Sequence, residues 1–423
     1  MMNERRAVCA VDTVVIGGGH AGLCMSYVLQ ELGRDHIVLE KKRALEQWRS
    51  ARWDSFRMNT PIGYSRLMGQ KDGVPDREMG ISLERNLALW EDCVRERGFP
   101  IREHCEVVSV TLSASEDFSV SVRGDGEGPL EYRAKNVVAA PGNYQIPNIL
   151  DCSANLGPEV QQLRVGTYTN PAAVKEGAVL IVGSGQTGVQ LGEELLQAGR
   201  NVYIATSKVK GSVRSYRGED VFFWLDRTGM LTMPWQALPD PNMRYERIPF
   251  TGNDHPISLH SLARMGAVFS GRLTDISGES PTAFFDDTLQ ENIAFAQEGY
   301  DFLINVIERW ITENGSGDEY PPPSPEPEWE PHQPLLDNPA PSSLILKEHN
   351  INAVLWATGW RADLSWLRIK EVREELGPHG RPEACETPVP GFFWLGFHWL
   401  QFLNSGNVAG FHYDAPHIGS KLR

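Results

Sequence analysis

Apolar residues in this chain gather into short β-branched runs, each followed by a glycine turn and then by apolar positions at helical spacing. Thr13-Val14-Val15-Ile16 suits a strand buried on both faces of a parallel sheet. Leu23, Tyr27, Leu29 and Leu32 carry a helical stripe up to the stop at Gly33, and Ile37-Val38-Leu39 reads as the next strand. The same order returns later. Val179-Leu180-Ile181-Val182 is a strand, Val189 to Leu196 a helix closed by Gly199, and Val202-Tyr203-Ile204-Ala205 a second strand. A unit that occurs twice makes chance a poor explanation for either copy. The pattern predicts an α/β chain with two Rossmann-like dinucleotide-binding units.

Other stretches carry weaker periods. Leu83 to Arg97 reads as an amphipathic helix, with Leu87, Leu89, Trp90 and Val94 as its apolar set. Val107 to Leu112, Phe118 to Val122 and Tyr132 to Val138 read as an antiparallel β-meander, turning at 124–128, inserted into the doubly wound sheet and not continuing it. Trp48 to Phe56 holds neither period and reads as a loop rich in Trp and Arg, closed by the turn Asn59-Thr60-Pro61. Thr288 to Trp310 predicts one long helix whose stripe of Leu289, Ile293, Ala296, Tyr300, Leu303 and Ile307 serves packing. Prolines dominate Tyr320 to Pro341, which reads as an extended strap crossing between domains. Asn352 to Trp360 echoes Val137 to Gly142 and reads as the return to the first domain. Phe392 to Gly396 is then a strand, Asn404 to Asn407 a turn, and Ala415 the start of a terminal helix.

The two turns supply the candidate chemistry. Gly17-Gly18-Gly19-His20-Ala21-Gly22 fits GxGxxG: Gly17 for the tight turn, Gly19 for close approach to a pyrophosphate, Gly22 for helix–strand packing. Free N–H groups at the helix start would face the phosphates. Glu40, followed by Lys41, stands about 20 residues on, where a ribose-binding acid belongs. The second turn, Gly183-Ser184-Gly185-Gln186-Thr187-Gly188, lacks that acid and offers Thr206-Ser207-Lys208, with Arg214 and Arg217 further on. Hydroxyl and cationic groups there would favour NADP over NAD, unless Lys208 and Arg214 are simply solvated.

Bulk properties narrow the setting. A chain of 423 residues exceeds one hydrophobic core, so two or three domains are expected. A formal net charge of -15 argues against nucleic acid and anionic membranes as partners. No apolar run has signal-peptide or membrane-spanning length, so a cytoplasmic location is expected. The six cysteines show no CxxC spacing, which argues for reduced thiols over disulfides or a metal site. No nucleophile–base pair stands out. His255, His260, His398 and His412 read as packed or solvated, with His398 and His412 the better candidates for lining a substrate cavity.

Taken together, the paired turns, Trp48 with Arg52-Trp53-Asp54-Ser55-Phe56, Asn59-Thr60-Pro61, Ala357-Thr358-Gly359-Trp360 and the late His398-Trp399-Leu400 with Ser405-Gly406 resemble a known family. It is the flavin-containing monooxygenase-like FAD/NADPH oxidoreductases, specifically the small single-chain bacterial and fungal group similar to plant YUCCA enzymes. The likeness covers nearly the whole chain. Tyr168 matches the end of the family's HSxxY bridge, but Arg164 replaces its histidine, and Ala139-Ala140-Pro141-Gly142 departs from the usual Ala-Thr-Gly. The resemblance implies FAD on the first unit, with Trp48 and Gln145 near the flavin and Arg49 among the cofactor contacts, and NADPH on the second. It extends the cofactor-contacting set to Thr358, Gly359 and Gly406. Asn59 would lie at the reactive flavin edge. It also implies that the second domain is inserted in the first: residues 1–165 and 346–423 for FAD, 166–345 for NADPH. The implied reaction is formation of a flavin hydroperoxide that oxygenates a small organic substrate at N, S or C, with O₂ as co-substrate. A reductase or oxidase passing electrons to a quinone, a carrier or O₂ is the alternative, and a redox-sensing scaffold a third. A dithiol reductase is disfavoured by the absent CxxC. A homodimer is one assembly compatible with the sequence.

Overall fold

The computed structural model describes residues 8–71, 78–124, 130–324, 327–337 and 340–423. Most of the turn expected at 124–128 and four positions of the proline-rich stretch lie outside these residues. Among the described residues, no helix is long and apolar enough to cross a membrane.

The first sheet is built on Val8–Ile16, which pairs in parallel with His36–Leu39 on one side and Glu131–Ala139 on the other. Val14 and Val15 are fully buried, as a strand covered on both faces requires. The meander Cys105–Leu112, Phe118–Gly124 and Glu131–Ala139 forms as expected, but it continues this sheet and is no separate insertion. The reason lies in the nine residues of Glu131–Ala139, long enough to serve two neighbours on one edge. Positions 131–134 pair with the meander, and positions 137–139 pair in parallel with Phe392–Trp394. Alternation identifies an antiparallel strand; it does not say what its remaining half will meet.

The second sheet has five parallel strands, in the order Val268–Ser270, Val202–Ala205, Ala178–Val182, Ile351–Trp356, Gln161–Arg164. Ile351–Trp356 therefore belongs here, and the return read at Asn352 to Trp360 is corrected. An apolar run ending in small residues suits a buried parallel strand in either sheet, so its composition could not choose between them. The chain leaves and re-enters the first unit where Ile146–Pro147 and Trp360–Arg361 lie antiparallel, and Phe392–Trp394 is the strand that rejoins the first sheet. The expected helices form at Leu83–Arg97 and Leu289–Glu313, while the terminal one, Phe411–Gly419, starts earlier than read and Trp48 sits on the short helix Glu46–Ser50. The described part of the proline-rich stretch lies on the second unit and does not cross between the two. Trp329 is buried, its ring stacked on Phe250 at 6.0 Å and tilted against Tyr300 at 4.6 Å.

Polar side chains join the two units. Ser55 donates to Glu194 at 2.8 Å, a carboxylate that Tyr168 Oη of the same second unit also bonds at 2.8 Å, and Asn170 donates to Asp54 at 2.7 Å. Deeper in, Arg214 is 1% exposed; it donates to the Asn59 carbonyl at 2.8 Å and pairs with Asp220, whose carboxyl burial pushes up against the pull of Arg214. Truncating one partner of a buried ion pair leaves the other charge uncompensated. Arg214→Leu is expected to cost about 3–5 kcal/mol and lower the urea midpoint. A midpoint equal to wild type would show that the pair holds nothing together.

Candidate functional site

Both glycine turns adopt one geometry. Gly17 and Gly183 have φ of +104° and +110°, open to glycine alone, and a Cβ there would lie 2.3 Å from the Ala140 carbonyl and 2.6 Å from the Ala357 carbonyl. A Cβ on Gly22 or Gly188 would come within 1.9 and 2.0 Å of the Gly17 and Gly183 carbonyls. Helix and strand therefore touch backbone to backbone. Nothing lies within 4 Å of where a Cβ on Gly19 or Gly185 would stand, and neither helix His20–Glu31 nor Gln186–Gln197 has a side-chain cap. Uncapped N–H groups behind an open glycine make a cradle that fits a pyrophosphate at each turn.

Around the first turn, Glu40 accepts from the Gly18 N–H at 2.7 Å and the Lys42 N–H at 2.8 Å. Each carboxylate oxygen keeps a second lone pair for a ribose hydroxyl. His20 is buried, its Nε2 3.1 Å from the Ser65 carbonyl; burial drives its pKa down to about 3, so it is a neutral packing group. Ala21 lies 3.2 Å from a Cβ built on Gly396, beside the return strand. Trp48 meets Trp90 edge-on at 5.2 Å, with the Arg52 guanidinium 4.6 Å above its ring. Three expected contacts are not brought to the turn. Lys41 is exposed and pairs with Glu106 at 2.7 Å, Arg49 pairs with Glu91, and Gln145 accepts from the Asp363 N–H at 2.6 Å, clamping the crossing between units.

At the second turn, Ser207 alone of the expected cation-and-hydroxyl set faces the glycines. Its N–H donates to Ser184 Oγ at 3.0 Å. Lys208 turns away to Glu291 at 2.9 Å and Arg214 is buried inward, so neither occupies the position the sequence suggested. Arg247 takes it instead, Nη1 donating to Ser207 Oγ at 3.1 Å. Sequence reading missed Arg247 because it lies 40 residues on, in a stretch with no period; only folding brings it back. Gln186 holds that same stretch, donating to the Gly252 carbonyl at 3.0 Å and accepting from the Thr251 N–H at 2.8 Å, while Thr187 is half-buried beside it. Thr358 donates to the Asn148 carbonyl and Gly359 takes φ +86°, which places both at the crossing between units.

Between the turns, Asn59 Oδ1 accepts from Gln190 Nε2 at 3.0 Å, so the first unit's asparagine is held by the second unit's helix. Its Nδ2 has no protein partner among the described residues. Beyond the first turn, Gly406 gives room to His398, whose Nδ1 would be 1.9 Å from a Cβ there. Burial lowers His398 to about 4, with Arg381 adding to the effect. Next to it Trp399 is buried at φ +60°, a strained backbone for a bulky residue. His412 instead meets the Arg66 carbonyl at 2.8 Å. Trp224 is fully buried and donates to the Tyr216 carbonyl at 2.7 Å; it is core, and Phe222 is the ring that reaches Tyr64, 5.7 Å between centroids. Two surface hollows, about 510 and 370 Å³, open along 305–313 and beside Asp286; they touch neither turn.

With this geometry in hand, the class is a two-dinucleotide oxidoreductase. Residues 14–225 match the pyridine nucleotide-disulphide oxidoreductase family, and the chain belongs to it. An uncharacterized oxidoreductase, CzcO of Bacillus subtilis, is 25% identical over 97% of this chain and 99% of its own length. The probable indole-3-pyruvate monooxygenase YUCCA9 of Arabidopsis thaliana is 24% identical over 56% of this chain and 59% of its own. Among solved structures, a flavin-containing monooxygenase from Stenotrophomonas maltophilia superposes with a TM-score of 0.61 at 18% identity, covering 98% of both chains. Bacillithiol disulfide reductase from Bacillus cereus gives 0.61 at 15%, also over 98% of both. The shared architecture is the paired dinucleotide fold, and a flavin and a pyridine nucleotide are the cofactors that the family and its neighbours support.

The segment covering the second turn is fastened by His255, 2.9 Å from Glu193 and 2.9 Å from Asp254. Hydrogen bonding to Glu193, helped by Asp254, raises its pKa from 6.5 to about 9. A raised histidine contributes fully below its unfolded value and loses that contribution as pH climbs through the folded one. Stability is therefore expected to fall between pH 6.5 and 9 in the wild type but not through this group in His255→Gln. Parallel pH profiles of thermal midpoint for the two proteins would contradict this.

Proposed function

We propose that this chain is an NADPH-dependent flavoprotein monooxygenase, holding FAD on the first turn and NADPH on the second, and oxygenating a small organic substrate. The observation that carries the reading is the asymmetry of two otherwise identical cradles. One strand ends in the carboxylate Glu40; the other ends in Ser207 with Arg247 bonded to it. A carboxylate accepts a ribose diol and repels a 2′-phosphate, whereas a hydroxyl with a guanidinium binds one.

When bound, FAD supplies two-electron exchange with NADPH and the activation of O₂. The protein's residues hold and shield. Backbone N–H groups of both turns bind the pyrophosphates, Glu40 takes the ribose, and Asn59, held through its Oδ1 by Gln190 of the second unit, keeps its amide N–H groups for a ligand. Trp48, Trp90 and Phe56 exclude water on the first unit's side. The balance is NADPH, a proton, O₂ and substrate giving NADP⁺, oxygenated product and water.

The equal superposition on a disulfide reductase supports a second reading, electron transfer without oxygenation. A thiol relay beside the first turn finds little support in this chain. Cys24, one turn into the helix, is fully buried, and burial pushes its thiol up to about 12, far from a thiolate at neutral pH.

Two experiments test the proposal. With purified FAD-loaded protein and a panel of amines, sulfides, ketones and acids, one oxygenated product is expected per NADPH, with little hydrogen peroxide. Peroxide matching NADPH with every substrate would favour the oxidase. Separately, Arg247→Ala is expected to raise the KM for NADPH about 10- to 100-fold, the worth of one charge-assisted hydrogen bond, and leave NADH unchanged. Equal loss for both nucleotides would remove Arg247 from 2′-phosphate recognition.

A further inference from the structure

Helix Gln186–Gln197, which starts at the second turn, lays one polar stripe along the segment that covers that turn. Gln186 holds Thr251 and Gly252, Gln190 Nε2 donates to Asn253 Oδ1, and Glu193 meets His255. Positions 186, 190 and 193 recur at helical spacing and share a face. Gln190 differs from the other two. It is 4% exposed, and the same Nε2 reaches the first unit, donating to Asn59 Oδ1 at 3.0 Å.

The polarity of that junction is fixed. A primary amide has two donor hydrogens on nitrogen and acceptor lone pairs on oxygen, and an asparagine turns to its neighbour whichever end the neighbour demands. Gln190 offers each asparagine one N–H, so both present Oδ1 to it. Asn59 is thereby held with Nδ2 turned away, and its main chain is fixed separately by Arg214, which donates to its carbonyl at 2.8 Å. The residue is half-buried, and Nδ2 has no partner among the described residues. A clamp that needed only contact would be served equally by the reverse pairing, with the asparagines donating and their oxygens outward.

We infer that Gln190 is a positioning residue for the proposed reaction: it sets the Asn59 amide with its N–H groups toward the ligand and ties that setting to the segment 247–255. The segment also carries Arg247, bonded to Ser207 beside the second turn at 3.1 Å. One amide nitrogen therefore joins the nucleotide side of the crevice to Asn59. The inference deepens the oxygenase reading and rests on it for the place of Asn59 at the flavin edge, where a fixed donor holds the negative charge that develops as O₂ is reduced.

The test is a set of mutant cycles on FAD-loaded protein. Samples are reduced photochemically and mixed with oxygenated buffer containing NADP⁺, and return of the oxidised flavin spectrum is timed. Gln190→Met is expected to speed that return about 3- to 10-fold, the worth of one neutral hydrogen bond, and to change nothing when Asn59→Ala is already present. Titration with NADP⁺ reads the other arm. Gln190→Met should weaken NADP⁺ by about 3- to 10-fold, with or without Asn59→Ala, and have no effect once Asn253→Ala is present. Gln190→Glu, equal in size but without the N–H groups, should move both readouts in the same direction. A change in reoxidation that persists in full without Asn59, or wild-type rate and affinity in both Gln190 variants, would overturn the positioning role. The NADP⁺ titration requires no oxygen chemistry, so failure of NADPH to reduce the wild-type flavin would count against the oxygenase reading alone.

Discussion

Everything in this molecule depends on how closely a helix start can approach a strand end. At both turns the approach is backbone on backbone, within a distance that no Cβ at Gly22 or Gly188 would tolerate. The same closeness leaves the helix starts without side-chain caps and opens a bare glycine in front of each. Unsatisfied N–H groups at a helix terminus are a cost to a folded protein alone and a source of affinity once an anion arrives. The fold therefore keeps two such ends facing ligand space, and the surrounding packing must hold them there.

That packing is reinforced by polar contacts between the units. Asn59 is the meeting point, its side-chain oxygen held by Gln190 of the second unit and its carbonyl by buried Arg214. Arg214 in turn is neutralised by Asp220 at the start of the helix Val221–Arg227. A residue the sequence offered as a phosphate ligand is thus a strut, and a residue it passed over, Arg247, is the one that meets Ser207 beside the second turn. Both outcomes follow from burial: a guanidinium is used inside only where a carboxylate and a carbonyl meet it, and outside it is free to bind.

Beyond the second unit's sheet, the stretch from Val221 to Ile257 contributes to three places at once. It covers the second turn through Thr251 and His255, supplies Arg247 to Ser207, and carries Arg244 and Tyr245 to the turn before the return strand. The contact with Ser207 and the cross-unit pair of Arg244 with Glu383 are in this way borne by one segment.

The sequence by itself determined both cradles, because GxGxxG with a β-branched run before it and a helical stripe after it is a local constraint that involves few distant residues. It also determined the long helix Leu289–Glu313, the meander strands and the absence of a CxxC pair. What it could not decide was partnership. Ile351–Trp356 and Val137–Ala139 are alike in composition, and only the assembled sheets show that the first joins the second unit while the second joins Phe392–Trp394. Lys208, Arg214 and Arg247 are alike in chemistry, and only the folded chain shows which meets Glu291, which meets Asp220 and which is left beside Ser207. Periodicity records which face of an element is buried; the identity of the neighbour is a long-range property, set by chain reversals that bring residues tens or hundreds of positions apart into contact.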